Sequence, residues 1–271
     1  NLRQAVESVT RDIRMAGYGI PDNVTIPNNV IAGVTVVRSI YPKDNTTAPD
    51  QIYILYLYDM DANQPPTVNT AAMGGTGSVT VASTAGFEPT GGELVLIADS
   101  STADLFETSS AAGSVLTFGG GYPYNAIAHK LYGIGPPPST VAKARFVRYY
   151  IDATTDPAHP TLMVDRMGGS SPQPVADDIE DLQLAYGLDT NADGIVDTWK
   201  GQTSGVLWTP TSSELSQIRQ VRLQLMGRTR NPDADWHETR PALGNRAAGT
   251  TADGYRRRII DVVIDVRNSG A

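Results

Sequence analysis

The sequence predicts an α+β fold: one N-terminal helix packed on an antiparallel β-sheet, with a small β subdomain inserted into it. Three observations predict this. Only the opening residues carry a long helical period. Beyond them, short runs of β-branched and aromatic residues alternate with turn residues, and the chain holds 26 Gly and 18 Pro. Residues 68–135 then change texture, becoming poor in charge and rich in Gly, Ser, Thr and Ala. The 271 residues suffice for one large domain or two small ones. The expected organisation is 1–67 for the helix and first strands, 68–135 for the insertion, and 136–271 for the rest of the core.

In residues 1–19, Leu2, Val6, Val9, Ile13 and Ala16 recur at steps of three and four, giving one apolar stripe. Arg3, Glu7, Arg11, Asp12 and Arg14 fall on other faces, with Glu7 and Arg11 placed to pair. Gly17 and Gly19 end the helix and Pro21 stops its resumption. The chain opens inside this helix without a capping residue, so an upstream segment is expected. Strands are expected at residues 34–40 and at 51–58 (QIYILYLY), closed by Gln64-Pro65-Pro66. Within the insertion, alternating runs at 78–82, 93–98, 104–108 and 114–118 are separated by clusters such as Gly91-Gly92 and Gly119-Gly120-Gly121. Gly135-Pro136-Pro137-Pro138 forms a stiff linker. Strands follow at 144–152 and 161–166, and residues 175–186 suggest a short helix running into a strand. Residues 215–229 alternate from Val221 onward, and 255–267 form the last strand, with Arg256-Arg257-Arg258 on its outer face.

Composition excludes several functions. The net charge of −8 opposes a nucleic-acid partner. With no cysteine there is no disulfide, zinc–thiolate or cysteine nucleophile. No apolar run reaches the roughly 18 residues of a membrane span, and no signal peptide is visible. His129, His159 and His237 lack metal-binding spacing and fit surface positions. No GxSxG elbow occurs. Asp177, Asp178, Glu180 and Asp181 would be the carboxylates of a hydrolase, but at consecutive positions they fit a solvated helix edge. Trp199, Trp208 and Trp236 suit packing better than sugar stacking. The chain is expected not to be an enzyme.

The sharpest motif is DTNADGIVD at 189–197. Oxygen-bearing side chains recur at alternate positions, Asp189, Asn191 and Asp193. Gly194 permits a sharp turn, the Ile195 carbonyl supplies a further oxygen, and Asp197 follows. A hard cation such as Ca2+ needs six to eight oxygens, and a curling loop with this spacing converges them. The twelfth position is Lys200 rather than the glutamate of an EF-hand. Two readings stay open: a structural Ca2+ loop formed by Asp189, Asn191, Asp193, Ile195 and Asp197, or an Asx-rich β-turn without metal. In either, Val196 anchors the loop to the core.

Three blocks in order then resemble a known family. LRQAVESVTRDIRMAGYG, ending in Arg11 to Gly19, resembles the C-terminal half of the long first helix of type IV pilins. The likeness is greatest to PilW-like minor pilins and the related J-type pseudopilin of type II secretion. VADDIEDLQLAYGLDTNADGIVDTW (175–199) is a second block. The third is IRQVRLQLMGRTR (218–230), followed by RRRIIDVVIDVRN (256–268). The resemblance implies a pilin fold and a minor pilin that joins other minor pilins and the major pilin to prime or cap a filament. It implies an inner-membrane precursor with a periplasmic domain, a prepilin leader and a hydrophobic half-helix ahead of Asn1, and a final place in an extracellular pilus near its tip. The alternative is a calcium-stabilised extracellular adhesin or carbohydrate-binding module.

Overall fold

The computed structural model describes residues 1–21, 24, 26–27, 31–58, 69–70, 77–98, 103–118, 139–168 and 171–267. Helix α1 spans Leu2–Met15, and Gly17 and Gly19 take positive φ just past its end. A short helix α2 (Ser212–Gln217) is closed by a capping box between Thr211 and Glu214. The main strands are β1 (Ile40–Lys43), β2 (Gln51–Leu57), β3 (Ser78–Thr80), β4 (Leu94–Ala98), β5 (Ala103–Ala112), β6 (Val115–Phe118) and β7 (Thr140–Asp152). They continue with β8 (Thr161–Met167), β9 (Gln173–Asp177), β10 (Ile179–Leu188), β11 (Thr198–Lys200), β12 (Ile218–Arg228) and β13 (Arg257–Asp265).

Among the described residues every strand pairing is antiparallel. One sheet has the order β11-β10-β12-β13. In the ten-stranded sheet, β7 runs through two surroundings. Residues 140–143 pair with β4, and residues 144–149 pair with β2 while 146–152 pair with β8. β3 to β6 continue from the β4 side and close a core of their own, with Phe106 stacked on Phe118 at 4.7 Å. The expected boundaries of the insertion, Gln64-Pro65-Pro66 and 135–138, lie outside the described residues, as do Gly119-Gly120-Gly121 and His129.

Helix α1 lies across both sheets, on β2, β9, β12 and β13. It buries Ala5, Val9, Asp12, Ile13 and Ala16, while Leu2 and Val6 are only partly covered. The stripe is thus rotated toward Ala5 and Asp12 from the one expected. Arg3, Gln4, Glu7, Arg11 and Arg14 form the exposed face. Arg11 turns to Asp12 at 3.4 Å rather than to Glu7.

Several expected elements need correction. Residues 34–40 do not form one strand: they split between a two-residue ladder at Val36–Val37 and β1. The short helix expected within 175–186 is absent. That segment is extended throughout, β9 and β10 being separated only by Asp178 at φ 61°. The strand after α2 begins at Ile218, earlier than the alternation from Val221 implied.

Candidate functional site

The seam between α1 and the sheets is organised by a carboxylate. Asp12 is 2% exposed. The Tyr149 hydroxyl, from β7, donates to Oδ2 at 2.7 Å, and the Tyr56 hydroxyl, from β2, donates to Oδ1 at 3.2 Å. Ser8 Oγ lies 3.2 Å from the same Tyr149 hydroxyl. Burial, and then the neighbouring Asp12 charge, pushes both phenols above their usual range. An apolar stripe alone lets a helix slide or rotate. Two charge-assisted bonds to fixed strands define its azimuth and height. Sequence reasoning placed Asp12 off the apolar stripe, although positions 5, 9, 12 and 16 share one helix face and tyrosines fill both facing strands.

Residues 175–181 place their carboxylates far from a solvated helix edge. Asp177 is exposed and accepts from the Thr161 hydroxyl at 3.4 Å. Asp178 meets His159 Nδ1 at 2.8 Å and Arg230 at 3.6 Å, so His159 is half-buried rather than a free surface residue. Glu180 pairs with Arg257 at 2.6 Å. Asp181 is fully buried and contacts Arg240 at 3.2 Å and Arg246 at 3.0 Å. Three of the four carboxylates therefore hold their own cations. The arginine triplet also divides: Arg256 lies exposed over Trp236, while the Arg257 side chain is buried between Glu180 and Asp253. Trp208 is buried against Tyr186, with ring centroids 5.3 Å apart.

Arg257 holds the Asp253 carboxyl below its ordinary value of 3.8, and Arg222 does the same for Asp261. A carboxyl lowered on folding adds stability above its unfolded pKa and loses it as pH falls through the folded value. Thermal stability should therefore drop below about pH 4. Arg257→Ala should flatten that acid limb, as differential scanning calorimetry across pH 2–7 would measure.

The 189–197 loop curls on itself. Asp189, at the end of β10, is buried. It accepts the amides of Asp193 at 3.2 Å and Gly194 at 3.0 Å, with Arg219 at 3.4 Å. Asp193 accepts the amide of Ile195 at 2.8 Å. Asp197 accepts both the amide and the hydroxyl of Thr190, at 2.7 and 2.8 Å, and these bonds lower its pKa. Asn191 Nδ2 reaches Asp193 at 3.1 Å and Asp197 at 3.4 Å. Gly194 at φ 85° and Ala192 at φ 63° make the turn. Val196 packs over Gly187, where a Cβ would come within 2.9 Å of it. The side chains of residues 189, 191, 193 and 197 thus cluster, while Ile195 points its side chain outward. Among the described residues no group of three or more His, Cys, Asp or Glu is arranged to hold a metal, so the loop in this form is closed by its own hydrogen bonds. The donor set itself, oxygens from carboxylates and one amide, suits a hard cation.

Part of the chain is similar to a known family. Residues 148–268 match the family model PilW, described as Type IV Pilus-assembly protein W. Over that span, which includes β8 to β13, the chain is PilW-like. No curated protein is a match. Among solved structures, the type IV-like pilin TTHA1219 from Thermus thermophilus aligns with 100% of this chain and 95% of its own, at 10% identity and a TM-score of 0.44. Among the described residues no helix is long and apolar enough to cross a membrane.

Proposed function

We propose that this chain is a minor pilin with a pilin-type fold, a structural subunit that joins other minor pilins and the major pilin to prime or cap a type IV pilus-like filament. One observation carries the reading. Helix α1, whose sequence resembles the trailing half of a pilin helix, packs on β9, β12 and β13, all within the PilW-like residues 148–268. In this reading α1 continues a longer helix whose apolar front anchors the precursor in the inner membrane with a periplasmic domain. The same front later lies in the filament, and the subunit sits near the extracellular tip. The exposed face of Arg3, Glu7, Arg11 and Arg14 offers charges for selecting neighbours. The role is structural rather than catalytic, and no nucleic acid is involved.

Deletion of the gene tests this. Surface filaments counted by electron microscopy should fall sharply and return when the intact chain is supplied. Unchanged filaments, with adhesion or sugar binding lost instead, would favour the adhesin or carbohydrate-binding alternative.

As a second reading, the loop at 189–197 binds structural Ca2+ through Asp189, Asn191, Asp193, the Ile195 carbonyl and Asp197. Its support is the clustering of these side chains around one turn. Saturating Ca2+ should raise Tm, and Asp193→Ala should abolish that part of the rise. No shift in the intact protein would dismiss the metal at this loop.

A further inference from the structure

The four-stranded sheet ends on β13, whose free edge differs from the others. Among the described residues β13 pairs only with β12, over nine positions from Arg257 to Asp265 and without a register shift. Natural sheets blunt their edges with short strands, proline or bulges, because an open edge recruits another strand. Among the described residues the other edges of the two large sheets carry these devices. β11 has three residues, β1 has four and contains Pro42, and the edge strand Asn69–Thr70 has two. β9 contains Pro174, and its ladder with β8 shifts register at Leu162/Met163. β13 has no proline, no bulge and no charge among Ile260, Val262 and Ile264, the residues that alternate toward the core.

The backbone of that edge is open at every second residue. The Val266 amide donates to the Arg219 carbonyl, and the Thr229 amide donates to the Arg256 carbonyl. Antiparallel pairing alternates, so the even-numbered residues of β13 turn their amides and carbonyls to β12, while Ile259, Asp261, Val263 and Asp265 turn theirs outward. The same four residues are exposed, Ile259 at 40% and Val263 at 54%. Their order points to a second copy of this chain as the occupant. In a two-fold pairing centred on Asp261, Ile259 of each copy lies opposite the partner's Val263, and Asp265 lies opposite the partner's Arg257. Centring the pairing on Ile260 or Val262 instead sets both aliphatic side chains against charged residues. At the centre the two Asp261 carboxylates meet with a counter-charge each, since Arg222 holds Asp261 through two nitrogens at 2.9 and 2.6 Å.

We propose that two copies of this chain join β13 to β13, antiparallel and centred on Asp261, so that their four-stranded sheets become one continuous sheet. The new ladder satisfies the outward amides and carbonyls, and the contact between Ile259 and the partner's Val263, made twice, covers the exposed aliphatic side chains. A two-fold contact closes on itself and does not propagate a filament. The dimer is therefore independent of the assembly proposed above, and either can fail alone.

Sedimentation equilibrium on the intact chain, together with single cysteines in a sequence that has none, tests this. The parent should show a monomer–dimer equilibrium. Val263→Lys should weaken association at least tenfold, and Leu207→Lys, at a comparably exposed aliphatic outside the strand, should leave it unchanged. Asp261→Cys should oxidise to a covalent dimer, because opposed residues of an antiparallel pair hold their Cα atoms about 5.5 Å apart, within disulfide reach. Val263→Cys should not, since the two copies of that residue lie four positions apart along the ladder, about 14 Å. Circular dichroism checks each variant, and should Val263→Lys unfold, the cysteine comparison decides. A parent that stays monomeric up to millimolar concentration overturns the proposal and leaves the edge to an extended segment of a different protein. A Val263→Lys dimer as tight as the parent's, or a disulfide that forms at Val263→Cys and not at Asp261→Cys, overturns it too.

Discussion

Replacing Asp12 by alanine is expected to destabilise the protein by about 3 kcal/mol, far more than a polar residue on an amphipathic helix normally costs. The carboxylate accepts the hydroxyls of Tyr56 and Tyr149, and both phenols are buried. Removing it strands two donors in the core and opens a small void. Hydrogen bonds to a charged group are worth about 1.5–3 kcal/mol each, partly offset here by releasing the carboxylate from burial. Asp12→Asn should lose roughly half as much, since an amide oxygen still accepts one hydroxyl. Glu7→Ala, on the exposed face, should stay within about 0.5 kcal/mol of the parent. Urea unfolding followed by circular dichroism measures all three. Equal effects for Asp12 and Glu7 would mean that the helix is held by its apolar stripe alone.

The second large effect concerns Asp181. It is fully buried in β10, and Arg240 and Arg246 converge on it while Gln183 Nε2 donates to it at 3.1 Å. Asp181→Ala leaves two guanidinium groups facing each other without their shared anion. Breaking a buried pair in this way typically costs about 3–5 kcal/mol, and the upper half of that range is expected here. The residues 229–256 that carry both arginines should loosen first, visible as faster hydrogen exchange in that segment. The triple variant Asp181→Leu, Arg240→Met, Arg246→Met should be less damaging than Asp181→Ala alone, because replacing the whole group by apolar residues removes the desolvation cost along with the attraction. A triple variant that loses the sum of three single losses would contradict this.

These two sites show where the sequence is informative and where it is not. The strand at residues 51–58 was legible because QIYILYLY has β-forming residues on both faces, and the structure buries Ile52 to Leu57 throughout. The helix end was legible because Gly17 and Gly19 adopt the positive φ that a glycine stop permits. Residues 175–181 misled because acidic residues disfavour strands when considered locally. Their charges are met by Arg240, Arg246 and Arg257, about sixty to eighty positions downstream, which no local pattern reveals. Asp12 was obscured in the same way, by partners 44 and 137 positions away. Within the 189–197 loop the turn and its glycine were readable from spacing. The salt bridge from Asp189 to Arg219 was not.

The pilin reading turns on whether the outward face of α1 meets other filament subunits in the cell. The chain contains no cysteine, so a single one at Glu7→Cys reports only from that face. A thiol-reactive cross-linker applied to cells bearing filaments should join this chain to another pilin-type subunit, with the adduct recovered from sheared filaments. A chain that remains uncross-linked, and absent from the sheared fraction while filaments are abundant, would contradict the account.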